Sequence, residues 1–123
     1  KNIILNYKSM LKTISYIESN FKYKIGLQNK NDVSYFQINI ASPLWNVQKL
    51  STLTGKEVTR DKLLDDIKFS SVVALHILIY NIGIHANYNK YNPSVENMIA
   101  AYHNPVKVNY AYLNQAKMYL KEV

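Results

Sequence analysis

The feature that most restricts how this chain can fold is a long apolar segment near its middle, residues 67–84. Eighteen residues in a helix approach the thickness of a bilayer, so the segment could be a membrane span or the central helix of a core. Polar side chains interrupt it at five positions, Lys68, Ser70, Ser71, His76 and Asn81. These interruptions favour a buried helix. We therefore predict a helix that forms the axis of a core, and no integral membrane segment.

Residues 2–19 carry the clearest helical pattern. Their apolar positions follow spacings of three and four residues, which predicts a helix with one buried face. These positions are Ile3, Tyr7, Met10, Leu11, Ile14 and Ile17. At about 100° per residue, Glu18 projects about 40° from Ile14, so its carboxyl points toward the core. Burial there is expected to raise the pKa of Glu18 and keep it protonated near neutrality, as a general acid requires.

Glu18 could also be an ordinary helix-end carboxylate without a catalytic role. The residue lies at the end of the predicted helix, where its side chain could reach solvent or pair with Lys22. Most carboxylates at helix ends have no further role, so position alone does not identify a catalytic residue.

Several shorter elements follow. Residues 21–32 have the composition of a loop, and residues 33–40 suit a short strand or an extended segment. Thr54 and Glu57 have the spacing of a capping box, and residues 61–66 suit a short helix.

The last third of the chain predicts two more helices. Asn92 and Pro93 have the properties of an N-cap and a first helical residue, which predicts a helix to about Tyr102. Residues 103–105 break it, and residues 106–120 form the last helix. The fold class is therefore all-α, or α with a minimal β segment, with five or six helices. We predict a single domain over residues 1–123.

The charge of the chain points to an anionic partner. Fifteen Lys and Arg oppose eight Asp and Glu, which gives a formal net charge of +7. The lysines are scattered and Arg60 is the single arginine, which argues against nucleic acid because base and phosphate recognition favours arginine. The chain begins at Lys1 without methionine, so we expect that an export leader has been removed.

Three short segments, in this order, resemble a known family. They are residues 18–21 (Glu-Ser-Asn-Phe), residues 32–39 (Asp-Val-Ser-Tyr-Phe-Gln-Ile-Asn) after an Asn-rich loop, and residues 101–105 (Ala-Tyr-His-Asn-Pro). The set resembles the lysozyme-like lytic transglycosylases, most closely their small secretion-system-associated members. The middle of the chain, residues 47–83, matches that family only by pattern.

The resemblance implies a lysozyme-like fold and cleavage of the β-1,4 bond between MurNAc and GlcNAc in peptidoglycan. Glu18 would be the single catalytic acid and then base, leaving 1,6-anhydro-MurNAc ends, with Ser19 as structural support. The implied cleft residues, which hold the glycan or the local backbone, are Asp32, Ser34, Tyr35, Gln37, Asn39 and Tyr102. The resemblance also implies a periplasmic or cell-envelope location, glycan strands as substrate, and a cell-envelope secretion machine as a further partner.

Two residues keep rival functions open. Asp32 stands where a chicken-type lysozyme has its nucleophilic aspartate, so Glu18 and Asp32 together could make a muramidase. Ser34 replaces the family's usual glycine, and Tyr35 follows it with a bulky ring, which could narrow the cleft. A non-catalytic peptidoglycan-binding or assembly module is therefore the third alternative.

No cofactor or metal site is expected from the sequence. The three histidines, His76, His85 and His103, do not have the i, i+4 spacing of a helical zinc pair, and no acidic cluster accompanies them. We expect His76 to be a core residue, His85 to lie at a helix end, and His103 to belong to the turn after Tyr102. The chain has no cysteine, which excludes disulfides and thiolate metal sites.

Overall fold

The computed structural model of the protein describes residues 2–22, 24–90 and 92–122. Over these residues the chain is mostly helical, as predicted, with a minimal β component. The helices are α1 (Asn2–Ser19), α2 (Val47–Thr54), α3 (Arg60–Asp65), α4 (Ile67–Asn89), α5 (Val95–His103) and α6 (Tyr110–Glu122); the strands are β1 (Asp32–Val33) and β2 (Ile38–Asn39).

The chain divides into two compact units. One comprises Lys1–Ile17 together with Ile77–Val123, and the other comprises Glu18–His76. In the first unit α5 packs against α6, and in the second α3 packs against β1. The single domain over residues 1–123 stays a prediction.

Helix α1 confirms the prediction made for the first helix. It ends at Ser19, and Met10 and Ile14 are buried on one face. Thr13 is also buried, and its hydroxyl donates to the carbonyl of Ser9 at 2.8 Å, which satisfies the polar group inside the helix. Apolar spacing thus located this helix because it depends mainly on residues that are close in sequence.

Helix α4 is the long helix predicted for residues 67–84, but it is buried on one side only. It continues to Asn89, beyond the predicted end at residue 84, and it buries only one stripe. That stripe consists of Ser70, Val73, Ala74, Ile77, Leu78, Asn81 and His85. Val72, Ile79 and Tyr80 are exposed although they are apolar. Uniform hydrophobicity therefore predicted the helix but not which side of it would be covered.

By length and composition alone, α4 could also cross a membrane. Its most apolar window has a mean hydropathy of 1.6, and 33% of that window is buried. A core helix meets the same criterion, so this finding does not separate the two possibilities, and the absence of a membrane segment stays a prediction.

A ladder of polar side chains ties α4 to the end of α5 in the first unit. The amide nitrogen of Asn81 donates to the carbonyl of Tyr102 at 3.3 Å, and Nδ1 of His85 lies 3.0 Å from the carbonyl of Pro105. Because a carbonyl can only accept, a hydrogen bond between them requires the tautomer with the hydrogen on Nδ1. The amide of Asn89 then donates to the backbone carbonyl of His85 at 2.9 Å.

This ladder corrects the expected position of His85. The side chain is fully buried rather than placed at a helix end, because α4 extends past it and its ring is needed to satisfy the Pro105 carbonyl. His103 is the last residue of α5, and its ring lies 5.0 Å from that of Tyr112.

The capping box predicted at Thr54 and Glu57 is wrong. Thr54 ends α2, a helix that was not predicted, and Gly55 follows it in the left-handed conformation with φ of 69°. The N-cap of α3 is Thr59, whose hydroxyl accepts from the amide of Lys62. Glycine ends a helix readily because it adopts positive φ without a steric penalty, and that stop signal outweighed the capping pattern.

The predicted start of α5 is also wrong by two residues. Ser94, not Asn92, is the N-cap, since its hydroxyl accepts from the amide of Asn97 at 3.2 Å. Helix α6 begins at Tyr110 instead of residue 106, because the side chain of Asn104 accepts from the two amides that follow Pro105 and holds them in a turn.

The ladder predicts unequal effects for two asparagines of the same helix. Asn81→Ala removes the donor to the Tyr102 carbonyl in a buried position and should lower the free energy of unfolding by about 1–3 kcal/mol. Asn87→Ala is the matched control, because Asn87 is exposed on α4 and its loss should change stability by about 0.5 kcal/mol or less. Urea denaturation measures both, and equal effects would contradict the ladder's contribution.

Candidate functional site

Glu18 lies in the last turn of α1 and is partly buried. The next residue, Ser19, is buried, and its hydroxyl donates to the backbone carbonyl of Tyr35 at 2.7 Å. This hydrogen bond joins two segments that are sixteen residues apart. It therefore holds the helix end that carries Glu18 against the segment that carries the other predicted cleft residues.

That segment is a tight hairpin. Asp32 pairs with Asn39 and Val33 pairs with Ile38 in antiparallel register. The prediction of one strand over residues 33–40 is corrected, because a four-residue turn divides it, closed by a hydrogen bond from the amide of Gln37 to the carbonyl of Ser34 at 3.0 Å. Burial of Val33, Phe36 and Ile38 anchors the hairpin.

Ser34 adopts the conformation that glycine favours. Its φ is 69°, and its side chain is only 2% exposed. The hydroxyl accepts from the amide of Phe36 at 3.1 Å, so it is turned inward. Ser34 thus contributes a backbone conformation and a local hydrogen bond, and its hydroxyl does not project into solvent where it would narrow a cleft.

The two amide side chains of the hairpin bind the local backbone. Nε2 of Gln37 donates to the carbonyl of Ser34 at 2.9 Å. Oδ1 of Asn39 accepts from the amide of Ala41 at 3.0 Å. Of the two roles that the resemblance implies for these residues, holding the glycan or holding the backbone, the structure contains the second.

Gly26 contributes to the hairpin in a way that its sequence context does not predict. Its amide donates to the carbonyl of Asp32 at 2.8 Å, and a β-carbon there would lie 3.0 Å from Oε1 of Gln37 and closer still to the carbonyl of Asn29. Any side chain would collide with backbone, so this position requires glycine. The available signal was one glycine in a loop otherwise rich in Asn and Lys, which by itself indicates only a turn.

Left-handed backbone conformations are concentrated around Glu18 in the sequence and around the hairpin turn. Among the described residues, five positions other than glycine have positive φ, and four of them are Asn20, Phe21, Ser34 and Gln37. Each such residue costs of order 1–2 kcal/mol relative to an ordinary conformation, and strain of this kind is found preferentially at functional sites. The fifth, Lys90, follows the end of α4.

Asp32 carries a perturbed carboxyl. It lies on β1, partly buried, and desolvation by burial raises the pKa of Asp32 above its ordinary value of 3.8. The environment therefore disfavours the anionic form of this side chain.

Tyr35 occupies the turn beside Ser34 and is partly buried. The ammonium of Lys24 lies 5.7 Å from the centroid of its ring, within the range of a cation–π interaction. Lys24 itself is exposed and was not selected from the sequence, where it is one of many scattered lysines.

Tyr102 belongs to the other compact unit. It lies in α5, is 8% exposed, and its carbonyl accepts from Asn81. The predicted position of its hydroxyl near the Glu18 carboxyl stays a prediction.

A small cavity of about 110 Å³ lies in that first unit, lined by Tyr16, Gln115, Met118 and Tyr119. The rings of Tyr16 and Tyr119 stack there at 4.6 Å. The cavity includes none of the predicted site residues. Within residues 2–22, 24–90 and 92–122, no group of three or more His, Asp or Glu could hold a metal ion.

No protein-family model, curated protein or solved structure matches this chain.

The conformation of Ser34 predicts an unusual order of stability. Ser34→Ala and Ser34→Gly both remove the hydroxyl that accepts from Phe36, but only glycine relieves the left-handed strain. Ser34→Gly should therefore be more stable than Ser34→Ala by roughly 1 kcal/mol. The control is Ser70, which is buried within α4, where alanine should exceed glycine by about 1 kcal/mol. Thermal unfolding measures all four variants. If alanine is more stable than glycine at both positions, the left-handed conformation of Ser34 is contradicted.

The raised pKa of Asp32 predicts that the substitution Asp32→Asn stabilises the fold more at neutral pH than in acid. Below pH 3.8 the carboxyl is protonated in both the folded and the unfolded chain; as the pH rises through the raised folded pKa, its ionisation destabilises the fold. Asp32→Asn should therefore gain stability relative to the unmodified chain between about pH 3 and about pH 7. Urea unfolding at both pH values checks this, with exposed Asp65→Asn as the control for losing one carboxyl. A gain that is larger in acid would overturn the assignment.

Proposed function

We propose that this chain is a peptidoglycan lytic transglycosylase with a lysozyme-like fold, in which Glu18 is the catalytic acid and then the base. The observation that carries the proposal is the strained hairpin tied to the end of α1. Four left-handed residues lie just after Glu18 and in the turn, and the hydrogen bond from Ser19 to Tyr35 holds the two segments together. Strain that is maintained by such contacts is typical of sites that must be preorganised.

The position of Glu18 suits the first chemical step. It is partly buried in the last turn of α1. A protonated carboxyl there can donate its proton to the glycosidic oxygen. The bond between that oxygen and C1 of MurNAc then breaks, and the leaving GlcNAc keeps the proton.

The second step needs a base and no water. The substrate's own N-acetyl group stabilises the positive charge at C1 in the family that the chain resembles. The Glu18 carboxylate then takes the proton of the MurNAc C6 hydroxyl, whose oxygen bonds to C1. The product is a 1,6-anhydro ring, and Glu18 is protonated again.

We propose the mechanism with one carboxyl, which the resemblance implies, over that of a muramidase. A muramidase would need Asp32 as a second, anionic carboxylate at C1. Asp32 lies on β1, where its backbone pairs with that of Asn39, and burial raises the pKa of its carboxyl. In the proposed mechanism Asp32 is part of the hairpin and takes no part in the chemistry.

The conformation of Ser34 weakens the case for a non-catalytic binding module. That alternative arose because serine replaces the family's glycine, yet Ser34 adopts the left-handed conformation with its side chain turned inward. The proposal includes export to the periplasm or cell envelope, glycan strands as the substrate, and a cell-envelope secretion machine as a further partner.

The decisive test is the chemistry of the released products. Incubated with purified sacculi, the chain should release 1,6-anhydro-muropeptides, and Glu18→Gln should lower the rate by at least about a hundredfold because it removes the acid and base. Asp32→Asn is the matched control and should keep most of the activity. Mass spectrometry distinguishes the outcomes: products with reducing MurNAc ends would indicate a hydrolase, and intact sacculi would favour a binding module.

A further inference from the structure

We infer that Lys24, held over the ring of Tyr35, makes this site select glycan strands that carry free carboxylates. The inference rests on the proposed function and deepens it, because it names the class of substrate that the site prefers. Peptidoglycan with peptide stems belongs to that class, and an uncharged glycan does not.

The geometry places a cation beside the candidate site. The Lys24 ammonium lies 5.7 Å from the centroid of the Tyr35 ring, and the lysine is exposed while the tyrosine is partly buried. The backbone that carries this ring is tied to the end of α1, because the carbonyl of Tyr35 accepts from Ser19, next to Glu18. The cation–π interaction keeps a flexible side chain near the hairpin turn and leaves the ammonium accessible.

The attraction for an anion comes from Lys24 itself and not from the charge of the whole unit. The compact unit Glu18–His76 contains eight Lys and Arg and six Asp and Glu, so its net charge is small. The exposed Lys24 ammonium can donate up to three charge-assisted hydrogen bonds to a carboxylate of the ligand.

Lys24 differs from the other lysines in being the one that the described residues place over the ring of a predicted site residue. A general preference for anions would arise from the net charge of +7 and would be shared among all the lysines. A selective effect at the site would depend on Lys24. The two explanations can therefore be separated by comparing single lysine substitutions.

The test uses two forms of the same sacculi. One form is native, and in the other the free carboxyls are converted to neutral amides with a carbodiimide and methylamine. The unmodified chain should release muropeptides about threefold faster from native sacculi, the size expected for one exposed charge pair. Lys24→Ala should reduce this ratio to about one. Lys24→Arg should retain it, because arginine keeps both the charge and the affinity for an aromatic ring.

Lys117→Ala is the matched control. Lys117 is exposed on α6, in the other compact unit, and its loss removes the same charge from the chain. This variant should keep the threefold ratio. If Lys117→Ala and Lys24→Ala reduce the ratio equally, the preference is a property of net charge and the inference is overturned.

A binding assay tests the role of Lys24 independently of catalytic activity. Glu18→Gln, with and without Lys24→Ala, is sedimented with both forms of sacculi and the bound fraction is measured. If the chain releases anhydro-muropeptides but Lys24→Ala changes neither the ratio of release rates nor the ratio of bound fractions between native and amidated sacculi, the selection is overturned. The proposed transglycosylase activity is then still supported. Absence of lysis together with Lys24-dependent binding to native sacculi would overturn the transglycosylase and support the selection.

Discussion

The hydrogen bond from Ser19 to the carbonyl of Tyr35 is the interaction on which the candidate site depends. It joins the end of α1 to the hairpin turn at 2.7 Å, in a segment that has only two paired residues in each strand. So short a hairpin is not stable by itself, and its stability has to come from side chains outside the ladder. The buried residues Val33, Phe36 and Ile38 provide the apolar part of that support, and Ser19 provides the polar part.

Local hydrogen bonds stabilise the left-handed residues of the hairpin turn. Ser34 and Gln37 are held by contacts between their own side chains and the neighbouring backbone, and Gly26 leaves room for Oε1 of Gln37. Each contact is modest, of the order of 1 kcal/mol, but together they offset the cost of positive φ. A rigid turn of this kind can hold a ligand next to Glu18 with little reorganisation, which is the physical basis of the proposed catalysis.

The other compact unit satisfies its buried polar groups in a similar way. Asn81 and His85 are placed on the buried stripe of a nearly uniformly apolar helix, and both bind carbonyls at or beyond the end of α5. Within the described residues, no buried side-chain nitrogen or oxygen lacks a hydrogen-bond partner. Polar residues in α4 therefore specify which helix face is covered, where hydrophobicity alone would not.

The amino-acid sequence by itself determined the helical class, the span of α1 and the presence of a long apolar helix, because these follow from periodicity between near neighbours. It also singled out the segments of Glu18 and the hairpin. Helix ends were less predictable, since several Asn, Ser and Thr residues competed as caps and only one geometry was realised at each end. The left-handed conformation of Ser34, the burial of His85 and the position of Lys24 over Tyr35 were decided only in the tertiary structure. Each of these depends on partners brought together by folding, which spacing along the chain does not encode.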